Sequence, residues 1–423
     1  MTFRPTARAA LALGIALAPA AAYAQDLLFW STQANPIEEQ QAMREQVLSS
    51  FDGNVDFQSS DAGPFLTRIE AEQQAGDGTI AVLGALHGDF AAMSDALADL
   101  SGMDLSADSV QPALLELGAL GTDDLKYVPW MQATYVMAAN RQALEYLPDG
   151  ADINALTYDQ LFEWSKAMAD ATGSPKFGFP AGPEGLKHRF FQGYLLPSYT
   201  GSMVTEFRSD DAAKAWDTFK ALWEYTNPAS TGYNFMQEPL LTGDVWVAFD
   251  HTARLADALN DKPDEFVAFP APAGPKGRAF MPVVAGIGIP TTAPDAEAAL
   301  SLVNYMLQPD TQIATLRATN FFPVVAVELP DDMPPAVQAS GAAIAAMAGA
   351  EDALPALLPV GLGDLGGQFN QVYTDTFERI ILANQDIGEV LDSQADELRR
   401  IIEEAGAPCW APDAPSDGPC PVN

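Results

Sequence analysis

Asp26-Leu27-Leu28-Phe29-Trp30-Ser31-Thr32 opens the stretch whose rhythm decides the fold. Four apolar residues in a row, ended by two hydroxyl residues, predict a short strand covered on both faces. Asn35-Pro36 with Glu38 then predicts a helix start, since Asn caps, Pro suits the first turn and Glu reaches back to a free amide. Val55-Asp56-Phe57 and Ile80-Ala81-Val82-Leu83 are the next strand candidates, with a helical stretch from about Phe65 to Gln74 between them. Strand, helix, strand, helix in this order predicts an α/β protein with a parallel sheet.

On the amino-terminal side of that stretch, Arg4 and Arg8 precede an apolar run from Ala9 to Ala22, and Ala22-Tyr23-Ala24 offers small residues for cleavage. This pattern predicts an export signal over residues 1–24, cut after Ala24, and a periplasmic mature chain. The run is too short to span a bilayer. The whole chain of 423 residues carries 21 Lys and Arg against 57 Asp and Glu, a net charge of −36. A nucleic-acid partner is therefore not expected, because phosphate neutralisation needs clustered cations. At 48% hydrophobic residues the chain can still bury a core, and the acidic excess is expected to keep an exported surface solvated. Cys409 and Cys420 lie in a Pro-rich tail, 409–423, and in an oxidising compartment are expected to pair.

Further along, Thr157-Tyr158-Asp159-Gln160 predicts a capping box, and Asp386-Ile387-Gly388-Glu389 starts a long amphipathic helix that ends near Gly406. Asp244 to Asp250 and Phe266 to Phe269 read as strands, while 354–367 reads as a connection. Within it, Gly361-Leu362-Gly363-Asp364-Leu365-Gly366 matches a dinucleotide fingerprint letter by letter, but Pro355 and Pro359 interrupt the segment before it and no strand-helix-strand unit follows. A flexible loop and no cofactor is the expectation. His87, His188 and His251 have no metal-helix spacing, and no nucleophile elbow occurs. Aromatic residues at element ends (Trp30, Trp130, Tyr135, Phe190, Phe191, Phe321, Phe322) could stack on a sugar ring or simply fill a core.

Several blocks in a fixed order resemble the family-one extracellular solute-binding proteins of ABC transporters, the group that carries sugars. They are Phe29-Trp30, Pro129 to Asn140 (PWMQATYVMAAN), the helix start LTYDQLFEWSKAM from Leu156, Thr242 to Phe249, Phe269 to Pro275, Gly286-Ile287-Gly288-Ile289-Pro290, Ala296 to Leu307 and Phe321 to Val324. The resemblance runs from about residue 26 to residue 405. It implies a two-lobed periplasmic-binding-protein fold with a hinge and an interlobe ligand cleft. Lobe one would hold 25–132 plus 283–330, and lobe two 133–282 plus 331–408. It also implies a binding protein without catalytic residues or cofactor, a monomer that hands a small carbohydrate to membrane permease subunits.

Carried over position by position, the resemblance points to Trp30 at the end of the first strand and to Asp61 and Asp89 in loops after the next two strands. It adds Tyr135 at the first interlobe crossing, Asp250, His251 and Arg254 in and after the turn behind the 244–249 strand, and Gly286 where a strand nears the ligand. Each also has a plainer reading: Asp61 and Asp89 as helix caps, Asp250 as a partner of Arg254. Two rival functions stay open at this point, a binder of cationic osmolytes or polyamines and a secreted glycoside hydrolase.

Overall fold

The computed structural model describes residues 1, 26–34, 36–110, 112–120 and 122–423; the export signal and the Asn35 cap fall outside them. The first strands are β1 (Leu27–Ser31), β2 (Val55–Ser59), β3 (Ile80–Leu86), β4 (Val128–Ala133), β5 (Tyr135–Asn140) and β6 (Phe177–Gly178). After them come β7 (Val247–His251), β8 (Phe266–Phe269), β9 (Arg278–Phe280), β10 (Val283–Gly288), β11 (Phe322–Pro323) and β12 (Ala353–Pro355). They form a six-stranded sheet, β11-β4-β10-β3-β1-β2, a four-stranded sheet, β6-β7-β5-β8, and the pair β12-β9.

Each larger sheet carries its own core, so the protein has two α/β lobes. In the first, β1 runs parallel to both β2 and β3, with the helix Ala62–Ala75 as the crossover. Leu27, Leu28 and Phe29 are buried because β1 has neighbours on both edges and side chains over both faces. Phe29 meets Phe57 edge-on at 5.1 Å and Trp130 at 5.3 Å. Burying such a ring contributes about 1.5–3 kcal/mol. β10 and β11 join from far along the chain and run antiparallel to their neighbours, so the sheet is mixed.

The second lobe is held by a larger aromatic core. Phe190 and Phe191 pack there with Phe179, Trp216, Phe219 and Phe249, and Trp130 is buried in the first lobe, so these rings are core and not sugar platforms. The expected capping box forms, Thr157 Oγ1 accepting from Gln160 N–H and Gln160 Oε1 from Thr157 N–H. Asp386 caps the helix Ile387–Ala405, which stops at Gly406 in the left-handed region.

Between the lobes the chain crosses at Thr134, linking β4 to β5, and again around Met281, linking β9 to β10. Thr134 Oγ1 donates to the Met281 carbonyl at 2.9 Å, tying the two crossings together. The carboxyl-terminal segment is part of the second core and not a loose tail: Trp410, Cys420 and Val422 are buried in it, and Cys409 and Cys420 form the expected disulfide. The buried Asp413 carboxylate takes hydrogen bonds from the backbone N–H groups of Met203, Val204 and Thr205 and from the hydroxyls of Ser202 and Thr205. Among the described residues no helix is long and apolar enough to cross a membrane.

Candidate functional site

A cavity of about 390 Å³ opens between the lobes. Its first wall comes from Leu66 on the helix Ala62–Ala75 and from Gly88, Asp89 and Ala92 on the short helix His87–Ala92 that follows β3. The second wall is Arg189, Asn370 and the turn from Pro359 to Gly363, with Gly366 beside it. The walls nearly touch, since a Cβ placed on Gly88 would lie 3.3 Å from Val360 Cγ1.

Asp89 is positioned by its own backbone. Its Oδ2 accepts from Leu86 N–H at 3.3 Å, which closes the first turn of the helix, and weakly from Thr32 Oγ1 at 3.5 Å. Burial raises its pKa above the usual carboxylate value, against these two hydrogen bonds. Asp89 also lines the cavity. Behind Asp89, His87 Nδ1 lies 2.6 Å from the Tyr127 hydroxyl, and burial pushes the histidine down to about 4, so the ring is neutral.

Across the cavity, a chain of side chains holds the second wall in place. Arg189 Nη1 donates to Gln192 Oε1 at 3.1 Å, and Gln192 Nε2 donates to Asn370 Oδ1 at 2.9 Å. The Asn370 carbonyl is thereby occupied and its NH₂ is the group left over. Gly361 and Gly363 have φ of 75° and 50°, and a Cβ on either would meet nothing, so the turn brings bare backbone to the cavity edge. This is the glycine run that mimics a nucleotide fingerprint. The carboxyl-terminal segment fixes it: Trp410 Nε1 donates to the Val360 carbonyl at 3.0 Å, and Leu357 N–H to Ala411 at 2.8 Å.

Of the residues singled out from sequence, Asp89 lines this cavity. Asp61 is exposed and precedes the helix that carries Leu66. Trp30 is half-buried, its ring nearly parallel to that of Phe65 at 6.5 Å and the Arg68 guanidinium 4.8 Å from its centroid, and it is not among the residues lining this cavity. Gly286 makes room for a core ring and not for a ligand: a Cβ there would lie 2.1 Å from Tyr127 Cδ2.

The remaining four form a packed cluster in the second lobe. Asp250 is fully buried, its two oxygens taking the Met236 and His251 amides at 2.9 and 2.8 Å, and burial pushes it up to about 7. Arg254 does not pair with it; Arg254 donates to the Asn234 carbonyl at 3.1 Å and lies 4.5 Å over the Phe235 ring. His251 Nδ1 accepts from Ala253 N–H as a helix cap, and burial lowers it to about 4. Tyr135 is buried, stacked on Phe249 at 5.6 Å and edge-on to His251 at 5.1 Å.

Sequence reading missed Arg189, Asn370 and the turn 359–363 as cavity residues, and the buried Gln192 that links the first two. The one signal was the glycine spacing in 361–366, set aside because its flanks did not suit a cofactor. None of the described residues lining the cavity is aromatic.

Several solved binding proteins share this architecture. The sugar-binding protein MalE from Xanthomonas citri matches with a TM-score of 0.69 at 13% identity, covering 89% of this chain and 97% of that one. The cyclic α-maltosyl-1,6-maltose binding protein from Arthrobacter globiformis matches at 0.67 and 17%, over 89% and 98%. The GacH receptor of Streptomyces glaucescens, solved without ligand and with acarbose, matches at 0.64 and 17%, over 89% and 98%. No curated protein matches the chain in sequence. The family model for bacterial extracellular solute-binding proteins matches residues 46–345, most of the chain. With two lobes, a cavity between them and that match, the chain belongs to the bacterial extracellular solute-binding proteins.

Proposed function

We propose that the chain is the ligand-capturing component of an ABC importer, binding a carbohydrate between lobe one (25–132 plus 283–330) and lobe two (133–282 plus 331–408). The observation that carries this reading is the cavity of about 390 Å³ with one polar wall from each lobe. A volume of that size suits a small sugar or the end of an oligosaccharide. Asp89 offers an acceptor from one side, and Arg189 and Asn370 offer donors from the other, a set that matches sugar hydroxyls. The sugars named for the structural neighbours, acarbose and cyclic maltosyl-maltose, support the same class.

Contacts to both walls exist together only when the walls are close, so ligand binding shifts the population toward closure. In this reading a membrane permease recognises the closed form, the protein works as a periplasmic monomer, and no bond is made or broken. Recognition rests on hydrogen bonds, because the lining carries no ring on which a sugar could stack. Asp89 is the residue retained from the sequence reading, with Arg189 and Asn370 added.

Calorimetric titration with a panel of mono- and oligosaccharides tests the assignment. A saturable heat for at least one carbohydrate below millimolar concentration is expected, and none across the panel overturns it. Heat for betaines or polyamines alone would move the ligand to the cationic class. Release of reducing ends from glycosides, lost on replacing one Asp, would make the protein a hydrolase.

A further inference from the structure

The second wall of the cavity offers donors and one cation, and among the described residues no carboxylate pairs with that cation. Arg189 has no carboxylate oxygen within 4.0 Å among the described residues, although the chain carries 57 acidic residues. The neighbouring Lys187 lies in the field of Glu378, whereas the group that favours the charged form of Arg189 is the neutral Tyr135. His188 beside it is pushed down to about 3, first by burial and then by Arg189, Lys187 and Arg254, which marks the positive potential of this corner.

Geometry adds to the charge. Gln192 takes one guanidinium N–H and turns Asn370 so that its NH₂ is left over, while Arg189 and Asn370 both line the cavity. A partly desolvated guanidinium fixed by a neutral amide, with a second N–H donor beside it, calls for an acceptor that carries negative charge. We propose that Arg189 and Asn370 form an oxyanion subsite, so that the carbohydrate held in this cleft bears a carboxylate or phosphate group and turns its hydroxyls toward Asp89. A single acid on the opposite wall fits this orientation, because Asp89 repels the oxyanion from its own side and accepts hydroxyl protons there.

The inference rests on the carbohydrate reading above and deepens it. Titration of the full chain with matched sets separates the two: glucose, glucuronate and glucose 6-phosphate, then maltotriose and trigalacturonate, with inorganic phosphate alone as a further probe. In at least one set the acidic member is expected to bind at least about tenfold more tightly than its neutral partner. The carboxylate and phosphate arms then identify which oxyanion is preferred. Arg189→Gln is expected to remove that advantage while leaving the weaker neutral-sugar heat in place. Asn370→Asp, which sets a carboxylate beside Arg189 in the folded protein, should remove it as well if the glutamine variant does not fold.

Neutral sugars binding as tightly as acidic ones, or an advantage that survives both variants, overturns the subsite and leaves the carbohydrate assignment standing. Inorganic phosphate binding through Arg189 with no carbohydrate binding at all supports the subsite and overturns the carbohydrate assignment. No heat from any probe overturns both.

Discussion

The two walls of the cavity are made in different ways. The first is local: β3 ends at Leu86, the chain turns into the helix His87–Ala92, and Asp89 is held by the amide three residues before it. The second is assembled from distant segments: Arg189 and Gln192 follow a Pro- and Gly-rich turn, Asn370 sits on the helix Gly366–Phe377, and the turn 359–363 hangs on Trp410 and Ala411. One wall therefore depends on a single short helix, and the other on tertiary contacts that the carboxyl-terminal segment maintains. Damage to that segment should be felt in the second wall and spare the first.

The largest effect is expected at the anchor of that segment. Asp413→Ala removes an acceptor for three backbone amides and two hydroxyls that are otherwise turned inward. Leaving several such donors without partners should cost about 4 kcal/mol. Urea unfolding measures it, and a loss below about 1 kcal/mol would mean that the segment does not brace the second wall.

For the first wall the matching test is pH. His87 has its folded pKa lowered by burial to about 4, from the ordinary 6.5. Between those values the unfolded chain binds a proton that the folded chain does not. The contribution is thus fully present above about pH 6.5 and is lost as pH falls toward 4, by up to about 3 kcal/mol. His87→Gln keeps a polar partner for the Tyr127 hydroxyl and removes the titration. Urea stabilities of the variant and the parent should converge by that amount between pH 7.5 and 4, and parallel curves would show that His87 is not buried neutral.

How much of each wall was legible follows from the same difference. Leu27 to Phe29, the crossover helix and Ile80 to Leu83 betray themselves through short-range pattern, and Asp89 follows because it sits just after β3. Gln192, which holds Arg189, reaches Asn370 across 178 positions, and no periodicity records such a contact. Gly286 shows the limit for a single residue. Its lack of a side chain reads equally as room for a ligand or for a ring, and Tyr127 supplies the ring. Asp250 shows a related limit: the Met236 amide that claims one of its oxygens comes from a turn fourteen residues earlier, which spacing alone does not place against it.

Opening the Cys409–Cys420 bond is the milder version of the Asp413 test. The disulfide closes a loop with a sequence separation of 11. Constraint of so short a loop in the unfolded chain is worth about 3 kcal/mol or less. The double variant Cys409→Ser with Cys420→Ser should melt at a lower temperature than the parent. An unchanged melting temperature would mean that Asp413 and Trp410 hold the segment without the covalent link.

The smallest expected effect lies where the walls meet. Gly88 belongs to the first wall and faces Val360 of the second, with a hypothetical Cβ already 3.3 Å from Val360 Cγ1. Gly88→Leu adds three further carbons in that direction, so the walls must stay apart by roughly the width of a methyl group. Helix propensity works the other way, Leu being better than Gly by about 0.8 kcal/mol within a helix, so the unliganded protein should not be destabilised. The variant separates closure from folding. Its melting temperature without ligand should stay within about 2 °C of the parent, while any carbohydrate that gives heat with the parent should bind about tenfold more weakly. Equal affinity in the two proteins would show that ligand is held without the approach of Gly88 to Val360. A lower melting temperature without ligand would show that this contact supports the fold as well as the cleft.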